Sequence, residues 1–154
     1  MCDYSLMSLP NRLAAEGEEL VVHRFATGCM GFTSVVDLRQ YVESRRTASF
    51  WQRVKGCFVE GPSVPAVCIP PAARLLLRNV GADLRRKHGL ESDEEVRFVQ
   101  LSAEPNTYRD AVCFRSGTVL GLQNLPAGQE AKVLDLGESR EEVPVEFGSL
   151  LNSY

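Results

Sequence analysis

A chain of 154 residues, 44% hydrophobic and 24% charged, has the size and composition of one globular domain (1–154), which excludes disordered and fibrous architectures. Its net charge of -3 excludes a surface tuned throughout to polyanions such as nucleic acid, so any basic site must be local. No aliphatic run exceeds three residues, as at Leu75 to Leu77, far short of the roughly 20 a membrane-spanning helix needs. The opening stretch also lacks the basic leader and long apolar run of a targeting peptide, and a cytoplasmic location is expected. Cys2, Cys29, Cys57, Cys68 and Cys113 form an odd set with no Cys-x-x-Cys pair, which predicts free cysteines in a reducing compartment and no structural disulfide.

In chain order, 2–9 reads as a short strand stopped by Pro10, and the β-branched and aromatic run 19–25 as a strand that ends in a turn at Gly28 and Gly31. Ser34 is placed to cap a helix, with Asp37 three residues on as in a capping box, and Val35, Leu38 and Val42 recur at helical spacing. That helix is expected over about 35–45; the stripe resumes at Phe50, Trp51 and Val54, so the helix either continues or restarts before Gly56. Four prolines frame a strand over 67–69, and 75–77 fits another. Asn79 reads as the cap of a short helix whose last turn, Arg85-Arg86-Lys87-His88, is cationic and closed by a left-handed Gly89. Strands over 96–101, 108–114, 118–125 and 131–136, the middle two joined by Arg115-Ser116-Gly117, predict an antiparallel meander that curls around the core.

The chemical signatures with high specificity are absent. There is no phosphate-binding glycine loop, no Gly-x-Gly-x-x-Gly, no Gly-x-Ser-x-Gly elbow and no His-Glu-x-x-His pair. With His23 and His88 the only histidines and no closely spaced cysteines, neither a metal site nor a cofactor is expected.

Cys2 is the candidate nucleophile. Removal of Met1 would leave its thiol beside its own α-amine, whose pKa of about 7.7 to 8.0 suits a general base. His23 is placed to activate a thiol if strand pairing brings it near Cys2 or Cys29, and Asp3 and Arg109 complete a candidate catalytic cluster with them. The plainer readings are a buried thiol that packs as a small hydrophobe and a histidine on the wet face of a strand. A binding reading rests on Arg45, Arg46, Phe50, Trp51 and Arg53, where arginines interleave with aromatics in a way that suits phosphate contact and stacking. Its plainer counterpart is a solvated helix face with Trp51 in the core, and the acidic total disfavours nucleic acid.

The opening Met1-Cys2-Asp3-Tyr4-Ser5-Leu6, with Asn11-Arg12, Gly31-Phe32, Val67-Cys68 and Tyr108-Arg109-Asp110, resembles a group of small bacterial proteins of unknown function that begin in the same way. The resemblance implies a bacterial cytoplasmic protein in which 35–62 is a helical insertion, and it draws attention to Cys2, Asp3 and Arg109 as a cluster. Over two residues, the Met-Cys start is similar to that of class II glutamine amidotransferases, whose glycine after the cysteine is Asp3 here. The expectation is thus a β-rich α+β fold: a small rolled or barrel-like antiparallel sheet with a helical insertion and one short basic helix. Its expected function is a non-catalytic binding or protein-interaction module, a homodimer or a protein partner meeting the 35–58 segment. The alternatives are a thiol enzyme using Cys2 and a polyanion binder using the basic helices.

Overall fold

The structure is a computed structural model, and it describes residues 6, 8–47, 63–102, 104 and 107–137. The elements follow the order β1 (Asn11–Leu13), β2 (Glu19–Arg24), β3 (Met30–Ser34), α1 (Val35–Thr47), β4 (Ala66–Cys68), β5 (Arg74–Arg78), α2 (Ala82–His88), β6 (Glu94–Gln100), β7 (Asp110–Phe114), β8 (Val119–Gly121) and β9 (Glu130–Asp135). β1 and β4 form a parallel pair, and the other seven strands form one curled half-barrel in the order β3-β2-β9-β5-β6-β7-β8. This is the β-rich α+β fold that the strand-forming runs predict.

The sheet is built by alternation. Leu20 and Val22 of β2, Leu75 and Leu77 of β5, Val96 and Phe98 of β6, Val112 and Phe114 of β7, and Ala131 and Val133 of β9 all point into one buried cluster, while Arg74 and Arg78 point outward. On that outer face Arg74 bridges Glu95 and Asp135, Glu95 also accepts from Arg115, and Arg78 pairs with Glu19. These exposed pairs fix cross-strand register and contribute little stability.

Every pairing in the half-barrel is antiparallel. With seven strands, the two edge strands β3 and β8 therefore run the same way and cannot close on each other in that pattern. A side chain closes the gap. Just after β8, in the 3-10 turn Leu122–Asn124, the Gln123 amide accepts from Met30 N–H (3.1 Å) and donates to Met30 C=O (3.1 Å), standing in for a neighbouring peptide group. Further along β3, the buried Thr33 hydroxyl donates to the Pro65 carbonyl (2.8 Å), which brings the β1–β4 pair against the same edge.

Several expectations are corrected. Leu6, Ser8 and Leu9 lie in a turn, with Leu9 N–H donating to Leu6 C=O (3.1 Å), and the first described strand comes after Pro10. The hairpin through Arg115-Ser116-Gly117 is present, but its second strand stops at Gly121 where the 3-10 turn begins, because Leu122 and Leu125 drop into the core. β9 does not continue the meander; it crosses to lie between β2 and β5, where Val22 N–H donates to Gln129 C=O (2.9 Å) and the Gln129 amide donates to Arg78 C=O (2.6 Å). Asn79 does not cap α2. It adopts φ 53 and donates to Glu130 (3.1 Å), and Gly81 takes the cap position. Gly89 closes α2 in the left-handed conformation as expected, φ 65. Cys29 and Cys113 are thiols, but Cys68 is disulfide-bonded, against the expectation of no structural disulfide. The sequence pattern alone cannot show such pairing.

Ser34 caps α1 as expected by accepting from Val36 N–H (3.2 Å). Asp37 does not turn back to complete a capping box; it accepts from Arg12 of β1 (3.0 Å). Arg12 also pairs with Glu18, whose carboxylate accepts from Ala15 N–H (2.9 Å). Burial alone would raise the Glu18 pKa, but the hydrogen bonds from Arg12, Ala15 and Ser34 outweigh it and hold the carboxyl below its ordinary 4.5, while Arg12 is raised in return.

Two outcomes follow. Gln123→Ala leaves the N–H and C=O of buried Met30 without their partner and should cost about 2 to 3 kcal/mol in urea unfolding; a loss below about 0.5 kcal/mol would show that the seam holds without the amide. Arg12→Met removes the cation from Glu18, whose side chain is 13% exposed, and should cost about 1 to 2 kcal/mol. Because the folded Glu18 pKa is lowered, its stabilisation is present above pH 4.5 and is lost as pH falls through the folded value. The variant should therefore flatten the acid limb of a stability-pH curve.

Candidate functional site

The described chemistry gathers at the seam of the half-barrel. The β2–β3 hairpin supplies Phe25 and Cys29, β4 supplies Ala66 and Cys68, and with Leu6 these form a second buried cluster separate from the main core. Leu6 and Phe25 pack close over the Gly31 backbone: a Cβ there would lie 2.6 Å from a Leu6 methyl and 3.1 Å from the Phe25 ring, so a larger residue would push the Leu6 side chain aside. The close approach seats Leu6 on the hairpin as a member of the cluster.

Cys29 reaches across the seam. Its buried thiol lies 3.6 Å from the Tyr108 hydroxyl and 3.9 Å from the Thr27 carbonyl, linking the hairpin to the segment that enters β7. Asp110, the first residue of β7, is buried and sits opposite Gln100 of β6. Tyr108 thus meets the Cys29 thiol, and Arg109 and Asp110 follow it in the chain, Asp110 as the first residue of β7.

Of the proposed catalytic set, His23 lies on β2 opposite Gly31, with its ring edge-on to Phe25 at 5.1 Å. Burial lowers its pKa below the ordinary 6.5, so the neutral imidazole is favoured at neutral pH. Arg109 follows Tyr108 in the chain, its carbonyl accepting from Leu101 N–H (2.8 Å). Cys2 and Asp3 lie outside the described residues, so the structure joins the two banks through Cys29 and Tyr108. Of the proposed binding set, Arg45 and Arg46 end α1. Arg45 donates to the Tyr41 hydroxyl (2.9 Å) and lies over its ring at 5.6 Å; Arg46 is exposed. Phe50, Trp51 and Arg53 lie outside the described residues. The second basic run, Arg85, Arg86 and Lys87, is exposed on α2, where Arg86 pairs with Asp83.

Sequence reasoning missed Tyr108 and Gln123. Gln123 had a visible signal, since it follows the apolar run Val119 to Leu122, where an amide needs a partner once buried. Tyr108 had none beyond its place at the start of an apolar strand. Among the described residues no three His, Cys, Asp or Glu side chains converge as metal ligands, and no helix is long and apolar enough to cross a membrane.

The lowered His23 pKa sets a pH dependence. The unfolded chain binds a proton at this position more readily than the folded one does, so stability is complete above pH 6.5 and is lost as pH falls below it. His23→Gln should remove that part of the slope in thermal unfolding at graded pH, and the imidazole resonances of the folded protein should titrate below 6.5. A midpoint at or above the ordinary value would contradict the burial of the ring. No family model matches the chain, and no curated protein or solved structure matches it.

Proposed function

We propose that the protein is a non-catalytic binding module that associates with a second copy of itself through α1. The observation that supports this reading is the incomplete burial of the helix. Val35, Leu38 and Val42 lie on one face at the spacing of a core-facing stripe, yet none of them is buried and Val42 is 46% exposed. Val36, on the opposite side, is 57% exposed. A helix of 13 residues has marginal stability of its own, and one that rests on β2 and β3 with its apolar stripe half open retains surface that association would bury.

A second copy is the simplest occupant, because two-fold symmetry places the same stripe against itself and covers both at once. The charges suit it: Arg39 and Arg46 flank the stripe and Glu43 lies one turn from Arg39 on the same helix, so antiparallel helices can pair opposite charges across the axis. The rival thiol-enzyme reading draws support from a favoured neutral His23, but its nucleophile Cys2 lies outside the described residues.

Sedimentation velocity at tens of micromolar tests the proposal. The wild type is expected to show a concentration-dependent dimer, and Val42→Asp, an exposed position whose change leaves the core intact, should sediment as a monomer with an unchanged melting temperature. A wild type that is monomeric throughout that range overturns the self-association reading.

A further inference from the structure

A circuit of hydrogen bonds starts and ends in the first turn of α1. Ser34 accepts from Val36 N–H and donates to the Glu18 carboxylate, Glu18 accepts from both terminal nitrogens of Arg12, and Arg12 Nη2 donates to Asp37 (3.0 Å). Glu18 is the most enclosed of the three charged side chains, 13% exposed against 41% for Arg12 and 24% for Asp37, and Ala15 N–H also donates to it (2.9 Å). The helix that this circuit holds has none of residues 35–46 buried. It also follows β3 with no intervening residue, so that Ser34 and Val35 form a joint between strand and helix. We infer that α1 is an arm that pivots at this joint, with the Arg12–Asp37 bond as the catch that keeps it docked on β2 and β3. The inference concerns how α1 is held and stands whether or not α1 meets a second copy.

Element ends are where hinges absorb a change of direction. The bond from Ser34 to Glu18 fixes the pivot, because Ser34 is the buried last residue of β3, whereas Asp37 lies one turn further on and moves with the helix. Apolar burial contributes little to docking when none of residues 35–46 is closed to water, so the polar catch decides the balance. Arg12 does more than attract. Its Nη2 bonds both Glu18 and Asp37, which holds the two carboxylates within about two hydrogen-bond lengths of each other. With the guanidinium in place the charges are bridged; without it they repel, and α1 is pushed off the surface it occupies. In the open state the surfaces of α1, β2 and β3 that now face one another become accessible to a partner.

Hydrogen–deuterium exchange of the full chain at low micromolar concentration, below the range of the proposed dimer, tests this. An undocked helix of 13 residues is marginal in water, so each opening shows as exchange of its amides. After correction for intrinsic rates, amides 39–46 should exchange roughly tenfold or more faster than those of β5 and β6 and with little dependence on urea, the mark of an opening smaller than global unfolding. Arg12→Met should speed α1 exchange by about a further tenfold. Adding Glu18→Gln to that variant should slow it again several-fold, since the repulsion between the carboxylates is gone. Asp37→Asn opens the catch and leaves the Arg12–Glu18 pair in place; it should speed α1 exchange several-fold, and it serves if Arg12→Met does not fold. If α1 amides exchange with the rate and the urea dependence of β5, the helix opens only with the whole molecule and the inference fails. It fails equally if Asp37→Asn leaves α1 exchange at the wild-type rate, or if Glu18→Gln does not slow the exchange of the Arg12→Met protein.

Discussion

An antiparallel sheet with an odd number of strands cannot close on itself antiparallel. Seven strands leave β3 and β8 running in the same direction, and the rest of the fold accommodates that mismatch. Pairing the two edges as neighbours would demand the slanted bonds of a parallel ladder from strands of five and three residues. The fold uses one carboxamide in their place, because a glutamine carries an acceptor and a donor at the spacing of a single peptide group. The remaining length of the β3 edge is met by Thr33 and the small parallel pair β1–β4, so no long unpaired edge of β3 faces solvent.

The position of the chemistry follows from that seam. A fully hydrogen-bonded barrel would bury its interior polar groups equally all round, whereas an interrupted one leaves a line along which side chains must do the pairing. Cys29, Tyr108, Thr33 and Gln123 all make side-chain contacts along this line, and Cys29 belongs also to the second cluster. The same interruption explains why α1 is only half buried: it leaves β3 at Ser34 and is anchored at its first turn by Arg12, a residue of the small parallel pair and not of the half-barrel.

Local features were legible in the sequence because local physics decides them. The aliphatic run Leu75 to Leu77 between two arginines reads as a strand, Ser34 can cap a helix wherever it sits, and Gly89 after Arg85-Arg86-Lys87-His88 closes a helical turn. Strand order was not legible. The residues of β9 carry the same alternating pattern whether the strand follows β8 or lies between β2 and β5, and the choice is made by burying Leu122 and Leu125 in the turn that precedes it. Asn79 and Asp37 show the same limit from the other side: each has the right type for a cap, and each was claimed by a partner distant in sequence, Glu130 in one case and Arg12 in the other. Of the site, Arg109 and His23 were named from their chemistry, while the contact that unites the two banks of the seam, Cys29 with Tyr108, is 79 residues long in sequence and left no local trace.

The central place of β9 also governs how the molecule can assemble. It is the last described strand in the chain, yet among the described residues it carries the only ladders between the β2–β3 hairpin and the β5–β6–β7–β8 meander. During synthesis those two pieces leave the ribosome with one side of β2 and one side of β5 lacking the strand that will lie between them, each a row of open peptide groups beside apolar residues. Until about residue 135 has emerged, the half-barrel lacks the strand that joins its two parts by backbone pairing, and the open edges of β2 and β5 can pair with a wrong strand. Such a sheet completes in one late step, so partly made chains gain little from the order already present in them.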